Sequence, residues 1–230
     1  MSKILIVMSA ASVWERTDGS AYPTGYWAEE LAAPHAAFAE AGHTVHFASP
    51  GGVLQPLDRH SADPEIAGAD CARHVAHAEK ALREHGPLLK LEDVDIDDYA
   101  AIVLPGGHGP VVDLHQDAGL GRLLTAADAA GKVIGAVCHG PAALLSAVDA
   151  DGKWLFAGRE MAAFTDEEER LFGTAEGAPW LLAARLREMG AVHTGGPAYQ
   201  QFNVRDRNLF TGQNPASSTR MAEDIVAALG

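Results

Sequence analysis

The chain has 230 residues, 47% of them hydrophobic, and carries 31 acidic against 17 basic side chains for a formal net charge of -14. That length and apolar content suit one sizeable core, so a single domain over residues 1–230 is expected. The acidic balance speaks against nucleic acid and anionic membrane surfaces as partners, and the apolar run Ile4 to Met8 is too short for a signal peptide or membrane span, so a cytoplasmic protein is expected.

Lys3 to Met8 reads as a buried parallel strand, followed by a polar loop. Thr24 reads as the N-cap of a helix running to about Ala41, with Gly42 as its stop. On that helix Trp27, Glu30, Leu31, Pro34 and Phe38 fall on one stripe. Glu30 is the exception among apolar neighbours, and a buried carboxylate is costly unless partnered or protonated; a rotated helix would expose it instead. Thr44 to Ser49 is a second strand, ended by Pro50-Gly51-Gly52, and Leu54 to Ala69 has no clear period and reads as a surface excursion able to shape a site mouth. Asp70 to His85 is helix-like; its His74 and His77 share a face, but no further ligand motif accompanies them, so solvated histidines are expected. Ala101 to Pro105 is a third strand, closed by Gly106-Gly107-His108-Gly109-Pro110, where glycines let backbone N–H groups approach a bound oxyanion; a plain tight turn explains them equally. Leu120 to Ala130 is a helix and Lys132 to Val137 a fourth strand. This alternation predicts an α/β fold with a mostly parallel central sheet, helices on both faces and ligands at the carboxyl ends of its strands.

The fourth strand runs into Gly135-Ala136-Val137-Cys138-His139-Gly140-Pro141. A nucleophile on a sharp strand-to-helix turn tolerates only small residues two positions away, which Ala136 and Gly140 satisfy, so Cys138 reads as a nucleophile with His139 beside it. The helix expected at Gly140 would depress the thiol's pKa. Cys71 reads as structural, and both thiols are expected to be free. Met161 to Thr165 resembles a strand leading into Asp166-Glu167-Glu168-Glu169, any of which could orient His139. Glu169 is favoured because Asp166 can serve as the helix cap. Pro179 to Met189 is an amphipathic helix, Tyr199 to Val204 with Leu209 to Thr211 a hairpin, and Asn214-Pro215 opens a final helix to Leu229.

Taken together, Thr24-Gly25 with Glu30-Leu31 and Pro34, Ser49-Pro50-Gly51-Gly52, Leu104-Pro105-Gly106-Gly107-His108-Gly109, Ala136-Val137-Cys138-His139-Gly140-Pro141, Phe164-Thr165-Asp166 and Thr211-Gly212-Gln213-Asn214-Pro215-Ala216-Ser217 resemble the PfpI-like branch of the class I glutamine amidotransferase superfamily. Within it the combination is most similar to the heat-shock-chaperone-like members that act as cofactor-independent glyoxalases (glyoxalase III, D-lactate dehydratase). The resemblance implies a flavodoxin-like sandwich, Cys138 as nucleophile, His139 as its partner, Glu30 as an acid touching the sulfur, and Asp166 or Glu169 as the third member of a triad. Gly106, Gly107 and His108 would line the oxyanion and substrate site, with N–H groups of Gly107 and His139 as donors. No metal and no cofactor are implied; a 2-oxoaldehyde such as methylglyoxal is the expected substrate, a homodimer the expected assembly, and Glu30 or His139 the carrier of the substrate proton. The rival readings are a Cys-dependent hydrolase or hydratase acting on an amide, an isonitrile or a glycated amine, and a stress-response holdase chaperone.

Overall fold

A computed structural model describes residues 1–230. In chain order the elements are β1 (Lys3–Val7), β2 (Val13–Glu15), β3 (Ala21–Pro23), α1 (Ala28–Glu40), β4 (Thr44–Ser49), α2 (Pro64–Ala67), α3 (Cys71–His85), β5 (Leu89–Lys90), β6 (Ala101–Leu104), α4 (Ala118–Ala129), β7 (Val133–Val137), β8 (Glu160–Met161), α5 (Asp166–Phe172), α6 (Leu182–Glu188), β9 (Val192–His193), β10 (Asn203–Asp206), β11 (Leu209–Gly212) and α7 (Ser218–Leu229).

The central sheet runs β10-β11-β7-β6-β1-β4-β5. Only β10 is antiparallel, forming a hairpin with β11. Taken in chain order, the strands β4-β1-β6-β7-β11 stand in the 2-1-3-4-5 arrangement of flavodoxin-like sheets. The inner strands can be continuously apolar because both faces are covered. Ile4, Ile6 and Val103 pack with Leu31, Phe38, Leu82, Met221 and Ile225 of α1, α3 and α7, while Leu5, Ile102, Leu104 and Ile134 pack with Leu120, Leu124, Leu182 and Leu186 of α4 and α6. Strand order reverses between β1 and β6, so the loops leaving their carboxyl ends diverge and open a crevice.

Several local expectations are corrected. Thr24 is not a cap: the α-helix starts at Ala28 without a side-chain cap, because Thr24 to Tyr26 runs beside residues 56–58, with Tyr26 bridged to Leu57 and a Cβ on Gly25 falling 2.1 Å from the Pro56 carbonyl. The polar loop after β1 contains the β2–β3 hairpin. Met161 to Thr165 is not a strand of the main sheet; β8 pairs only with β9, and the Phe164 N–H donates to the Cys138 carbonyl across the end of β7. Gly140–Ser146 is a 3-10 helix rather than an α-helix. Asn214 caps nothing: a 3-10 turn, Pro215–Ser217, precedes α7. Leu54 to Ala69 holds α2 and a 3-10 turn over Arg59–Ala62. No helix is long and apolar enough to cross a membrane.

Candidate active site

Cys138 sits at the carboxyl end of β7 with φ 60, in the left-handed region that a side chain rarely adopts. Backbone on both sides holds it there, its N–H donating to the Gly212 carbonyl and its carbonyl accepting from Phe164, each at 2.9 Å. A Cβ on Gly140 would lie 2.0 Å from the Leu104 carbonyl, so the turn closes against β6 only with glycine there. The requirement for small neighbours read from the sequence thus has a specific steric cause.

His139 joins the sulfur to a carboxylate. Its Nδ1 lies 3.4 Å from Cys138 Sγ and its Nε2 is 2.6 Å from Glu169 Oε1. The other oxygen of Glu169 accepts from the Thr174 hydroxyl and lies 3.5 Å from His108 Nε2. Burial works to raise the Glu169 pKa, but the charges and hydrogen bonds of His139 and His108 outweigh it and hold the carboxyl well below the usual carboxylate range. Burial, reinforced by His108, lowers the pKa of His139 against the pull of Glu169. The resting pair is a carboxylate facing a neutral imidazole.

Glu30 reaches the sulfur from the opposite side, on the buried stripe of α1. Its Oε2 accepts from the Gly106 N–H at 2.6 Å, while Oε1 has no hydrogen-bond partner. Burial pushes the carboxyl up to about 8, despite that hydrogen bond and the neighbouring Cys138 thiol. A Cβ on Gly106 would come within 2.7 Å of both Glu30 Oε2 and the His139 nitrogen, so this glycine lets the three groups converge. The expected depression of the Cys138 pKa is reversed: burial and the charge of Glu30 push the thiol well above its ordinary value, with the His139 N–H opposing them. The 3-10 turn that follows lacks the aligned dipoles of the α-helix on which the expectation rested. Glu30's push acts only while Glu30 is charged, so Glu30 and Cys138 titrate as one coupled pair.

The remaining candidate residues divide. Gly106, Gly107 and His108 all reach the site, and the N–H groups of Gly107 and His139 make no backbone hydrogen bond. Asp166 lies outside it: its carboxylate accepts from the Ala184 N–H at 3.2 Å and pairs with Arg187. Thr165 is the cap of α5, in a reciprocal capping box with Glu168. Glu168, to which the sequence assigned nothing beyond its place in the acidic cluster, is a buried hub. Besides Thr165 it accepts the Tyr199 N–H at 2.8 Å, Gln213 Nε2 at 3.1 Å and Asn214 Nδ2 at 2.8 Å, tying the pocket wall at Tyr199 and Asn214 to α5. His77 is not simply solvated either, since its Nε2 meets His35 Nδ1 at 3.0 Å across α1 and α3.

The sulfur opens into a pocket of about 730 Å³ walled by Tyr22, Trp27, Phe164, Leu171, Phe172 and Tyr199. Its only acidic side chains are Glu29 and Glu65, and no lysine or arginine lines it. Tyr22 comes from the unexpected hairpin; Asp18-Gly19 between Val13-Trp14-Glu15 and Ala21-Tyr22 was the turn signal that marks it. His108, His139 and Glu169 each bring one metal-competent donor atom within 4.8 Å of the others. Both histidines also line the pocket, while Glu169 is 2% exposed.

Comparison with known proteins bears on this geometry. Glyoxalase 3 of Candida albicans is 28% identical over 99% of this chain and 98% of its own length. The crystal structure of C. albicans glyoxalase III, 26% identical, superposes with a TM-score of 0.82 over 99% of this chain and 97% of that one. The Francisella tularensis rapid encystment protein of 24 kDa, 28% identical, gives a TM-score of 0.87 with all of both chains covered. A protein/nucleic acid deglycase of Pseudomonas aeruginosa is 27% identical over 96% of this chain and 78% of its own length. Residues 23–228 match the DJ-1/PfpI family, and with the strained cysteine at the end of a parallel strand of a flavodoxin-like sheet, the chain belongs to that family.

Proposed function

We propose that this protein is a cofactor-independent glyoxalase, a lyase of the glyoxalase III or D-lactate dehydratase type, converting a 2-oxoaldehyde such as methylglyoxal to the 2-hydroxy acid. The observation that carries the reading is the position of Cys138 between a neutral His139 backed by Glu169 and a carboxyl group, Glu30, whose pKa of about 8 keeps it largely protonated at neutral pH. An aldehyde-to-acid isomerisation must deliver a proton to the second oxygen, and a protonated carboxyl beside the sulfur can supply it. The full-length similarity to glyoxalase 3 of C. albicans supports it.

In this mechanism the thiol gives its proton by way of His139 to the aldehyde oxygen as sulfur adds to C1, and the N–H groups of Gly107 and His139 hold the oxyanion as it forms. The product is a hemithioacetal. Isomerisation then moves hydrogen from C1 to C2 while Glu30 gives a proton to the C2 oxygen and later recovers one from the C1 hydroxyl. This leaves a 2-hydroxyacyl thioester. Water activated by His139 releases the acid and restores the thiol, so the sum is one 2-oxoaldehyde plus one water. The lining of aromatic and acidic side chains favours neutral substrates over those bearing phosphate or carboxylate.

Incubation of methylglyoxal with the protein in the absence of glutathione, followed by NMR, is expected to yield lactate, and Cys138→Ala to yield none. Absence of lactate alongside release of amine from a glycated amine would move the reading to the deglycase chemistry named for the P. aeruginosa relative. Both cysteines are free, which fits a reducing compartment, and we propose a cytoplasmic homodimer, to be checked by sedimentation.

A further inference from the structure

His108 is an ionisable group in the pocket, beside the His139 ring, that the mechanism leaves without a task, and the environment of its ring nitrogens points to one. Nε2 is fully enclosed and makes no hydrogen bond, with Glu169 Oε2 at 3.5 Å. A carboxylate oxygen can only accept, so its approach favours the tautomer with the hydrogen on Nε2, which leaves Nδ1 as the acceptor. Nδ1 makes no hydrogen bond in the protein and is not sealed as Nε2 is, and the residue lines the same pocket as Cys138. The ring cannot swing away: it stacks on Trp14 at 4.8 Å with an interplanar angle of 19°, lies 4.3 Å from the His139 ring and meets the edge of Tyr22 at 5.6 Å. Glu169 thus faces the Nε2 atoms of both histidines, one within hydrogen-bond distance and one at 3.5 Å. Both nitrogens of His139 are occupied, one by the sulfur and one by Glu169, whereas His108 lines the pocket with no hydrogen bond at Nδ1.

We propose that His108 is the catalytic base that carries the substrate hydrogen from C1 to C2, an inference that rests on the glyoxalase reading above. In the hemithioacetal, Nδ1 takes the C1 proton; the C1–H electron pair becomes the C1=C2 bond, and the C2 carbonyl π pair moves to oxygen, which receives the Glu30 proton. The imidazolium, stabilised by the anionic Glu169, then returns its proton to C2 as the C1 hydroxyl gives its own proton to Glu30 and becomes the thioester carbonyl. Every proton is back in place and no redox partner is required. His139 serves the sulfur and His108 serves the carbon, with one carboxylate behind both.

The test compares lactate formation from methylglyoxal with the rate of Cys138 alkylation by iodoacetamide in the wild type, His108→Phe, which keeps an aromatic ring against Trp14, and His108→Asn, which covers the case in which the Phe variant fails to melt cooperatively. The expected result is a fall in kcat of about a hundredfold or more, the usual scale for a lost general base, with KM and the alkylation rate within about twofold of wild type. Turnover within threefold of wild type overturns the inference. So does a parallel fall in alkylation, which would mean that His108 acts only through His139. A wild type that forms no lactate removes the glyoxalase reading itself, whereas lactate from the wild type with unchanged variants removes only the role of His108.

Discussion

Glu30 and Glu169 approach Cys138-His139 from opposite sides and are almost equally hidden, 1% and 2% exposed, yet their pKa values move in opposite directions. Glu30 lies on an apolar stripe of α1, and its only hydrogen-bond donor outside the thiol is the Gly106 N–H. Glu169 faces the Nε2 atoms of two histidines and the Thr174 hydroxyl. Burial is common to both, so it cannot be what separates them; the cationisable donors decide. In the proposed mechanism one acid serves as a proton store and the other as an anion that orients imidazoles, in keeping with the paired divergence of their pKa values.

The largest effect is expected from breaking the anionic side. Glu169→Gln places an amide where both histidines require an acceptor, and should lower turnover by about 10³- to 10⁴-fold while Cys138 remains in place. The depressed pKa adds a stability effect. A carboxyl whose folded pKa lies below its unfolded value stabilises the fold above the unfolded pKa, and that contribution is lost as pH falls through the folded one. The variant should thus melt below wild type at neutral pH, with the gap narrowing in acid. Equal melting temperatures at pH 7 would mean that Glu169 is not held as an anion.

Breaking the protonated side has the opposite signature. Glu30→Gln keeps the shape but cannot exchange a proton, so turnover should fall by about 10²-fold. Stability should move the other way. Because the folded pKa of Glu30 is raised from 4.5 to about 8, the folded state binds more protons than the unfolded between those values, and the wild type loses stability as pH rises across that window. The variant is spared this loss. Its advantage in chemical denaturation should grow by up to about 1.4 kcal/mol per pH unit and level off above pH 8 or so. A flat difference between pH 5 and 8 would show that Glu30 is ionised throughout.

A subtler version of the same contrast reads the thiol. Since charged Glu30 is among the causes that lift Cys138, the alkylation rate of wild type should inflect above the ordinary thiol value of about 8.5, and Glu30→Gln should lower that inflection. An inflection that stays where it was would leave burial and the charge of Glu168 as the causes.

How much of this was legible depends on how far apart in the chain the causes lie. The parallel strands, the Glu30 stripe and the turn at Cys138 are local patterns, each within a dozen residues, and the fold follows from them. The Asp18-Gly19 turn is also local, but among the polar residues Arg16 to Ser20 it reads as loop. Thr24 failed as a cap because a segment thirty residues on, at Pro56 to Asp58, draws its backbone into an extended bridge. For Glu168 only the capping role is local, as Thr165-x-x-Glu168; its hub role has no signal, because the donors Tyr199, Gln213 and Asn214 are 31 to 46 positions away. The pairing of His108 with Glu169 is invisible for the same reason.

The smallest expected effect concerns the acid that the chain sets aside. Asp166 and Glu169 are three residues apart and share a side of α5, so the sequence could not separate them by facing alone. The structure separates them by what lies beyond the helix: Glu169 turns to the histidines, and Asp166 to α6, where it accepts the Ala184 N–H and pairs with an Arg187 that is about half exposed. A half-solvated ion pair contributes little, and the backbone hydrogen bond adds on the order of 1 kcal/mol. Asp166→Ala should therefore lower the melting temperature by about 2–4 °C, the shift that 1 kcal/mol produces in a chain of this size. Turnover should stay within twofold, because nothing that Asp166 touches reaches the sulfur or His139. A collapse of turnover with an unchanged melting curve would instead make Asp166 the acid behind His139, and Glu169 a structural partner of Thr174.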